Sequence, residues 1–503
     1  MRKKKLFIIL FLSLLFISLL IFLLLGFLRG QNEVSKMMSP PIKINYPKVS
    51  DDKIYTERIF DTSYVHDVNI YISNSDWKDL TTYPAAKRMY HVDVTIDGIK
   101  ISNVSFRTKG NSSLKTIAEG PDEGPGANRF SFKVDFGKYE DNQSYFGLDK
   151  ISFNNIFGDA SYLNDFVSYE MFRQLGVAAP LTSFVYIKIN GENLGLYLAV
   201  EDIGNSFLER NNLDGYLYKP EQNHGDDNGA SITYTDDDEN SYRDIFNNAY
   251  SKITSDDKTR LISSIKQLNN NTNLDKVLNI DEIISYFVVH NFVLSYDSYT
   301  GESIHNYFLL EKDGIMSMIP WDYNLAFGRC DMAGDITTIV NYGIDSPIVG
   351  AEPNERPMWY WIEKNETYLN KYHSIMNKLI TDYFESGKFD EYVDYNYNVI
   401  KSYIPLDFSA FYSAKEADTA VSTLKTFCKL RSQSIKLQLG GKLSTRTTTQ
   451  LAQNKIDASS IKLEDMGFVA LPSLKQDDDS DESNSNNKKK HSSNKSVTKN
   501  DNN

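Results

Sequence analysis

Cysteine is almost absent from this 503-residue chain, which carries only Cys330 and Cys428. A disulfide framework is therefore excluded as the basis of the fold. An oxidising location would permit one bridge, and two buried free thiols are equally compatible with the sequence. No Cys/His spacing matches a zinc site. The seven histidines are scattered and contain no His-Glu-x-x-His pair, so metalloprotease chemistry lacks its ligands. There is no Gly-x-Ser-x-Gly, no Walker A sequence and no internal repeat. Positive charge is in deficit. Lys and Arg number 54 against 67 Asp and Glu, a formal charge of −13, which argues against a general nucleic-acid binder.

What is present begins with Met1-Arg-Lys-Lys-Lys5 and an uncharged apolar run from Leu6 to Leu28. The run is long enough to span a bilayer and has no polar face. Gly26-Phe-Leu-Arg-Gly30 is a poor cleavage site, so residues 1–30 predict an uncleaved, single-pass anchor. The basic end stays cytoplasmic, and the globular part lies outside the cytoplasm. Residues 31–55 are polar and Pro-containing and predict a stalk. Residues 446–503 predict a tail, disordered from about 475. There Asp477-Asp-Asp-Ser-Asp-Glu482 is followed by Ser/Asn-rich sequence and Lys488-Lys-Lys490, with no recurring apolar residue. The tail is read as solubilising; its basic end also suits an anionic polymer or lipid.

The intervening residues 56–445 are ample for two lobes. Residues 56–110 alternate in short runs, as in His91-Val-Asp-Val-Thr-Ile-Asp-Gly98, and predict antiparallel sheet. They end in a basic loop containing Arg107, Lys109, Gly110 and Asn111, which suits either an ordinary turn or a phosphate. Arg129 to Phe136 places Phe130, Phe132, Val134 and Phe136 on one face and Lys133 on the other. Residues 161–175 read as a helix, with Gly176 just past its end. Strand-like runs follow at 184–189, 195–200 and 215–219. Glu201 ends the second and Lys219 the third. Glu201 with Lys219 or with Lys133 would supply a lysine–carboxylate pair, and an ordinary surface ion pair is the alternative. Residues 224–240 predict a mobile loop, and Asp236-Asp-Asp238 a solvated run. Residues 241–295 predict helices. Asp281 is an N-cap candidate for an all-round apolar helix through Leu294, in which His290 belongs to the core. Residues 331–445 predict a mainly helical remainder, and the dispersed tyrosines are assigned to packing.

The stretch from Asp297 to Asp322 carries the chemistry. Tyr307–Leu310 and Ile315–Ile319 flank Asp313-Gly314, a hairpin signal. A hairpin brings its ends together, so Asp297, Asn306 and Asp322 should converge. That order suits phosphoryl transfer: an Asp for the acceptor hydroxyl, an Asn and a second Asp for Mg²⁺. Asp and Asn also recur at turns for backbone reasons.

In seven stretches, in order, the chain resembles the spore-coat CotH family, which is similar to atypical, secretory-type protein kinases. They are Phe106-Arg-Thr-Lys-Gly-Asn-Ser-Ser113; Asp159-Ala-Ser-Tyr-Leu-Asn164 with Tyr169-Glu-Met-Phe-Arg173; Val185-Tyr-Ile-Lys-Ile-Asn-Gly191; Gly195-Leu-Tyr-Leu-Ala-Val-Glu-Asp202; Tyr216-Leu-Tyr-Lys219; Asp297 with Asn306-Tyr-Phe-Leu309; and Ile319-Pro-Trp-Asp-Tyr-Asn-Leu-Ala-Phe-Gly328. They cover roughly residues 60–330. The resemblance implies an α+β, atypical kinase-like fold with a β-rich N-terminal part and a mainly helical C-terminal lobe. It implies ATP with Mg²⁺ or Mn²⁺, Asp297 as the catalytic residue, and Asn306 and Asp322 on the metal. Arg107, Lys109, Asn111, Lys133, Glu201 and Lys219 are implied about the nucleotide, and a Ser/Thr-containing protein, coat proteins included, as acceptor. Two departures stand out: Asn324 where the family often has Asp, and Asn164 where it often has Arg. They motivate the alternative, a non-catalytic coat or cell-surface assembly protein. A glycosidase ranks third, because no spacing selects its carboxylates.

Overall fold

The computed structural model describes residues 54–469 apart from 121–123, 224–226, 331 and 333. The expected anchor at 1–30, nearly all of the stalk at 31–55 and the disordered tail from 475 lie outside the described residues. Among the described residues no helix is long and apolar enough to cross a membrane.

Alternating sequence builds the N-terminal lobe. Its strands are β1 (His66–Tyr71), β2 (Tyr90–Ile96), β3 (Ile99–Lys109), β4 (Ser131–Asp135), β5 (Lys150–Asn154), β6 (Thr182–Ile189) and β7 (Glu192–Glu201). They close a barrel in the order β1-β2-β3-β4-β5-β7-β6. All neighbours are antiparallel except β1 and β6, whose parallel pairing closes the ring. Period-two alternation sends Phe106, Phe132, Val134, Ile151, Phe153 and Ala199 into the interior, where they are fully buried. The barrel is thus a packed core rather than a pore.

The helical lobe forms around the helix Ile280–Val293, buried on every side from Ile283 onward. Asn279, not Asp281, occupies its N-cap position; Asp281 lies in the first turn and pairs with Lys371. The hairpin β9 (Tyr307–Lys312) and β10 (Ile315–Pro320) packs on this helix, with β8 (Tyr216–Tyr218) added beside β9. Asp313 and Gly314 both take positive φ, 51° and 89°, as the two-residue hairpin turn requires. Helices 357–364, 366–379, 388–400 and 414–439 complete the lobe.

The helix read over 161–175 spans Asn164–Gln174, and Gly176 follows at φ 77° with its N–H on the Arg173 carbonyl. The first-turn donors are met by the preceding loop. Asn164 N donates to Asp159 Oδ2 at 2.8 Å and Leu163 N to Ser161 Oγ at 3.1 Å. A buried ion pair joins the lobes: Arg129 Nη1 lies 2.7 Å from Asp407 Oδ2, which also accepts from Leu196 N. A Cβ on Gly195 would sit 2.3 Å from Asp407, so that approach needs glycine.

Two expectations are corrected. The loop read as mobile at 224–240 contains buried Ala230, Ser231 and Ile232, pinned by the hydroxyls of Tyr307 and Tyr299 on the carbonyls of Ala230 and Ser231. Residues 446–469 are not the start of a tail. Ala458, Ile461, Leu463 and Met466 are buried in the helical lobe's core. Gly467 bridges to Asp159, and the fully buried Arg329 donates to the carbonyls of Gly158 and Met466. These few apolar residues lack helical or strand period, so their docking left no pattern in the sequence. Cys330 and Cys428, for which the sequence allowed either a bridge or two buried thiols, are both buried and are not joined in a disulfide.

Candidate active site

One wall of the site is the outer face of the barrel. Register places Arg107 opposite Lys133, Lys133 opposite Ser152, and Ser152 opposite Val200. Residues two apart in a strand share a face, so Lys109, Asn154 and Asp202 lie on this surface as well. Lys133 Nζ lies 2.7 Å from Asp202 Oδ2, and Ser152 Oγ donates to the same oxygen at 3.2 Å. Lys109 Nζ donates to Asn154 Oδ1 at 2.6 Å and sits 5.2 Å from the Trp321 ring centroid.

This register corrects the expected role of Glu201. Being one residue from Asp202, it belongs to the opposite face, at the barrel's end. It is fully buried there, 2.7 Å from Arg210 and accepting from Tyr55 Oη at 2.7 Å. Asp202 is the carboxylate that holds Lys133. Lys219 pairs with Glu221 rather than Glu201. Asn111 faces solvent, accepting from Lys87 Nζ at 2.8 Å. Arg107 donates to the neighbouring Thr108 carbonyl.

The facing wall is the open end of the β9–β10 hairpin. The helix Ile280–Val293 ends at Leu294 in a left-handed conformation, and the chain turns through Asp297. His305 Nε2 lies 2.7 Å from Asp297 Oδ1. Asn306 Nδ2 donates to the Asp297 carbonyl at 2.8 Å and to its Oδ2 at 3.3 Å. Asn306 and Asp322 both take left-handed φ, 56° and 60°, a region Asn and Asp tolerate better than other side chains. Asp322 N–H donates to Tyr169 Oη at 2.9 Å, and Tyr323 N–H to Asp165 Oδ1 at 2.6 Å. The helix 164–174 thus grips the Asp322 turn from behind. Next to it, Asn164 Nδ2 donates to the Asn324 carbonyl at 2.9 Å, and Asn324 Nδ2 to the Phe157 carbonyl at 3.1 Å. The two residues that depart from the family pattern therefore serve one local contact.

The electrostatics tie the walls together. Burial raises the Asp322 carboxyl above its ordinary range; Lys109 opposes this, Asp297 adds to it, and Lys219 and His305 oppose it. Burial, then Asp322, pushes the Asp165 carboxyl up to about 7. Burial lowers the Lys109 ammonium despite the pull of Asp322, Asp202 and Asp165. His305 is raised: burial works against its charged form, and the Asp297 carboxylate outweighs burial. Lys87 is lowered by burial and by its neighbours Arg107 and Lys219, against Glu221. A chain of net charge −13 thus gathers Lys87, Arg107, Lys109, Lys133 and Lys219 about one cleft with carboxylates at its floor.

Asp297, Asn306 and Asp322 converge, with Lys109 against them. The structure adds Asp165, Asp202, His305, Asn154 and Lys87, none of them singled out from sequence. His305 sits between Asp297 and Asn306 and was the one legible signal; the others depend on cross-strand register. Among the described residues no group of three or more His, Cys, Asp or Glu is placed to hold a metal. A hard cation at Asn306 and Asp322 would complete its shell with phosphate oxygens and water, the usual situation for Mg²⁺.

A family model described as CotH kinase protein matches residues 106–435. That span includes every site residue above except Lys87. Inner spore coat protein H of Bacillus subtilis (strain 168) is 24% identical over 204 residues, covering 38% of this chain and 54% of that protein. The chain therefore spans about half the length of the curated relative it matches.

Proposed function

The chain belongs to the CotH family, and from that premise we propose that it is a protein kinase transferring the γ-phosphate of ATP to Ser or Thr of surface or spore-coat proteins. One observation carries the proposal: Asp297, Asn306 and Asp322 meet at the open end of one hairpin, with Lys109 acting on Asp322 from the barrel.

The residues suit a divalent cation. The Asn306 amide nitrogen is committed to Asp297, which leaves its oxygen for a metal. The Asp322 carboxyl is raised by burial and by Asp297, so added positive charge favours its ionised form. Mg²⁺ or Mn²⁺, when bound, supplies neutralisation of charge on the transferring phosphoryl group. Lys109, and Lys133 held by Asp202, offset the remaining phosphate charge. Asp297 orients the acceptor hydroxyl. The hydroxyl oxygen bonds to the γ-phosphorus, its proton passes to the Asp297 carboxylate, and the bond to the β–γ bridging oxygen breaks. ADP leaves with that electron pair. His305 holds Asp297 through Oδ1 and so fixes the orientation of its carboxylate. Such catalysis is mostly positioning and electrostatics.

The test incubates the full-length protein, in detergent, with γ-labelled ATP, Mg²⁺ or Mn²⁺ and a Ser-rich acceptor protein. Label on Ser or Thr that disappears in Asp297→Asn is the expected result. Mg·ATP binding without transfer would instead support the second proposal, a non-catalytic assembly protein, which draws on Asn164 and Asn324. We also propose that residues 1–30 hold the domain outside the cytoplasm. Protease added to intact protoplasts then digests it, and full protection overturns that orientation.

A further inference from the structure

The segment from Asp297 to Asn306 carries two of the three residues at the cleft and contains neither helix nor strand. Without a ladder of its own, its backbone groups need partners elsewhere. Its middle turns tightly. Gly301 N–H donates to the Ser298 carbonyl at 3.1 Å, and a Cβ on Gly301 would collide with the Tyr296 carbonyl.

Three successive carbonyls of that turn are held by one other stretch of chain. Arg356 Nε donates to the Tyr299 carbonyl and Nη2 to the Gly301 carbonyl, both at 2.9 Å. Val349 N–H donates to the Thr300 carbonyl between them at 3.0 Å. The Tyr299 side chain is fixed as well. Its hydroxyl accepts from Met358 N–H at 3.0 Å and donates to the Ser231 carbonyl at 2.9 Å.

Arg356 has a rigid base. It lies between the turn Pro353–Glu355 and the helix Pro357–Lys364, and its carbonyl accepts from Trp359 and Tyr360 N–H, both at 3.0 Å. Pro357 at the first helical position suits that entry. Arg356 is only 5% exposed. Among the described residues its hydrogen-bond partners are all backbone carbonyls, the third being that of Glu355 at 3.0 Å. Burying a guanidinium is costly unless its planar fork is filled. Here two of its three bonds go to the loop that joins Asp297 to Asn306.

We propose that Arg356 is a positioning residue: its guanidinium clamps the turn at 299–301 and so sets where the Asp297 carboxylate stands in the cleft. The inference rests on the phosphoryl-transfer reading of Asp297.

The test compares full-length wild type, Arg356→Met and Arg356→Lys in detergent, at a temperature where circular dichroism shows each folded. Hydrogen exchange over 297–306, Mg·ATP affinity by calorimetry and the turnover number for phosphate transfer are read. Arg356→Met should exchange faster over that segment and transfer about 10²-fold more slowly, the scale of a displaced catalytic group. Arg356→Lys should fall between, since an ammonium lacks the fork that spans two carbonyls. Mg·ATP affinity should change by no more than about threefold, because Lys109, Lys133 and Asp322 lie on other segments. A merely structural arginine would lower the melting temperature and leave the turnover of folded protein at the wild-type value. Wild-type turnover in folded Arg356→Met therefore overturns the proposal, as does unchanged exchange over 297–306. Should that variant fail to fold, the same two readings on Arg356→Lys decide. Absence of transfer in the wild type refutes phosphoryl transfer rather than the clamp, on which exchange then decides.

Discussion

Asp322→Asn separates a metal-binding charge from a turn residue. Position 322 takes φ 60°, and asparagine tolerates that conformation as well as aspartate does. The substitution therefore keeps the backbone and removes only the charge. Without metal, that charge lies beside Asp165 and Asp297, and burial raises its pKa. Its removal relieves repulsion that Lys109 only partly offsets. The apo variant should melt no lower than wild type, with a gain on the order of 1 kcal/mol, or about 1–2 °C. Mg·ATP affinity should fall at least about 30-fold, equivalent to roughly 2 kcal/mol for a lost charge–metal contact. Asp297→Asn should behave differently. Its His305 partner is one-third exposed, so the pair contributes under about 1 kcal/mol. Mg·ATP affinity should hold while transfer falls about 10²-fold or more. Calorimetry with Mg·ATP, melting curves and transfer assays on both variants are the measurements. An Asp322→Asn protein that melts lower yet binds Mg·ATP as wild type does would falsify the metal assignment and leave a turn residue.

Lys109→Met should weaken Mg·ATP binding, whereas Glu201→Gln should spare it and lower stability by about 2 kcal/mol, since it unpairs Arg210 in a buried setting; paired calorimetry and urea titrations distinguish them, and lost nucleotide affinity in a stable Glu201→Gln would return Glu201 to the nucleotide site. A chain ending at Val469 should melt like the full-length protein, whereas one ending at Thr445 loses buried Ala458, Ile461, Leu463 and Met466 and should melt far lower or fail to fold; equal melting of the two refutes the docking of 446–469. The Glu282 carboxyl is raised in the folded state to about 8, so the native protein holds that proton where the unfolded chain releases it. Its contribution to stability therefore falls as pH rises from about 4.5 towards 8, and Glu282→Gln should melt at a temperature less dependent on pH across that window; an identical pH profile in wild type and variant contradicts the raised carboxyl.

Much of the fold was legible because its cues are local. Phe130, Phe132, Val134 and Phe136 announce a strand with one apolar face, and all four are buried in the barrel. Asp313-Gly314 announces the hairpin, and Gly176 marks a helix end. The hairpin also made the meeting of Asp297, Asn306 and Asp322 readable, since a two-residue turn determines which residues lie at its open end. The lysine–carboxylate pair was not readable. Glu201 ends β7 and Asp202 follows it, their side chains turned to opposite sides, and choosing between them needs the register of β4, β5 and β7.

The sequence by itself determined the strand and helix faces and the trio at the hairpin, because each follows from turn chemistry or side-chain period within one short stretch, at most that from Asp297 to Asp322. Only the tertiary structure decided that Lys133 is held by Asp202, that Asp165 and Tyr169 grip the Asp322 turn, that His305 sits on Asp297, and that 446–469 returns to Asp159 and Arg329. Those contacts depend on barrel closure and on the packing of two lobes, where residues far apart in the chain meet through register and burial that no local pattern encodes.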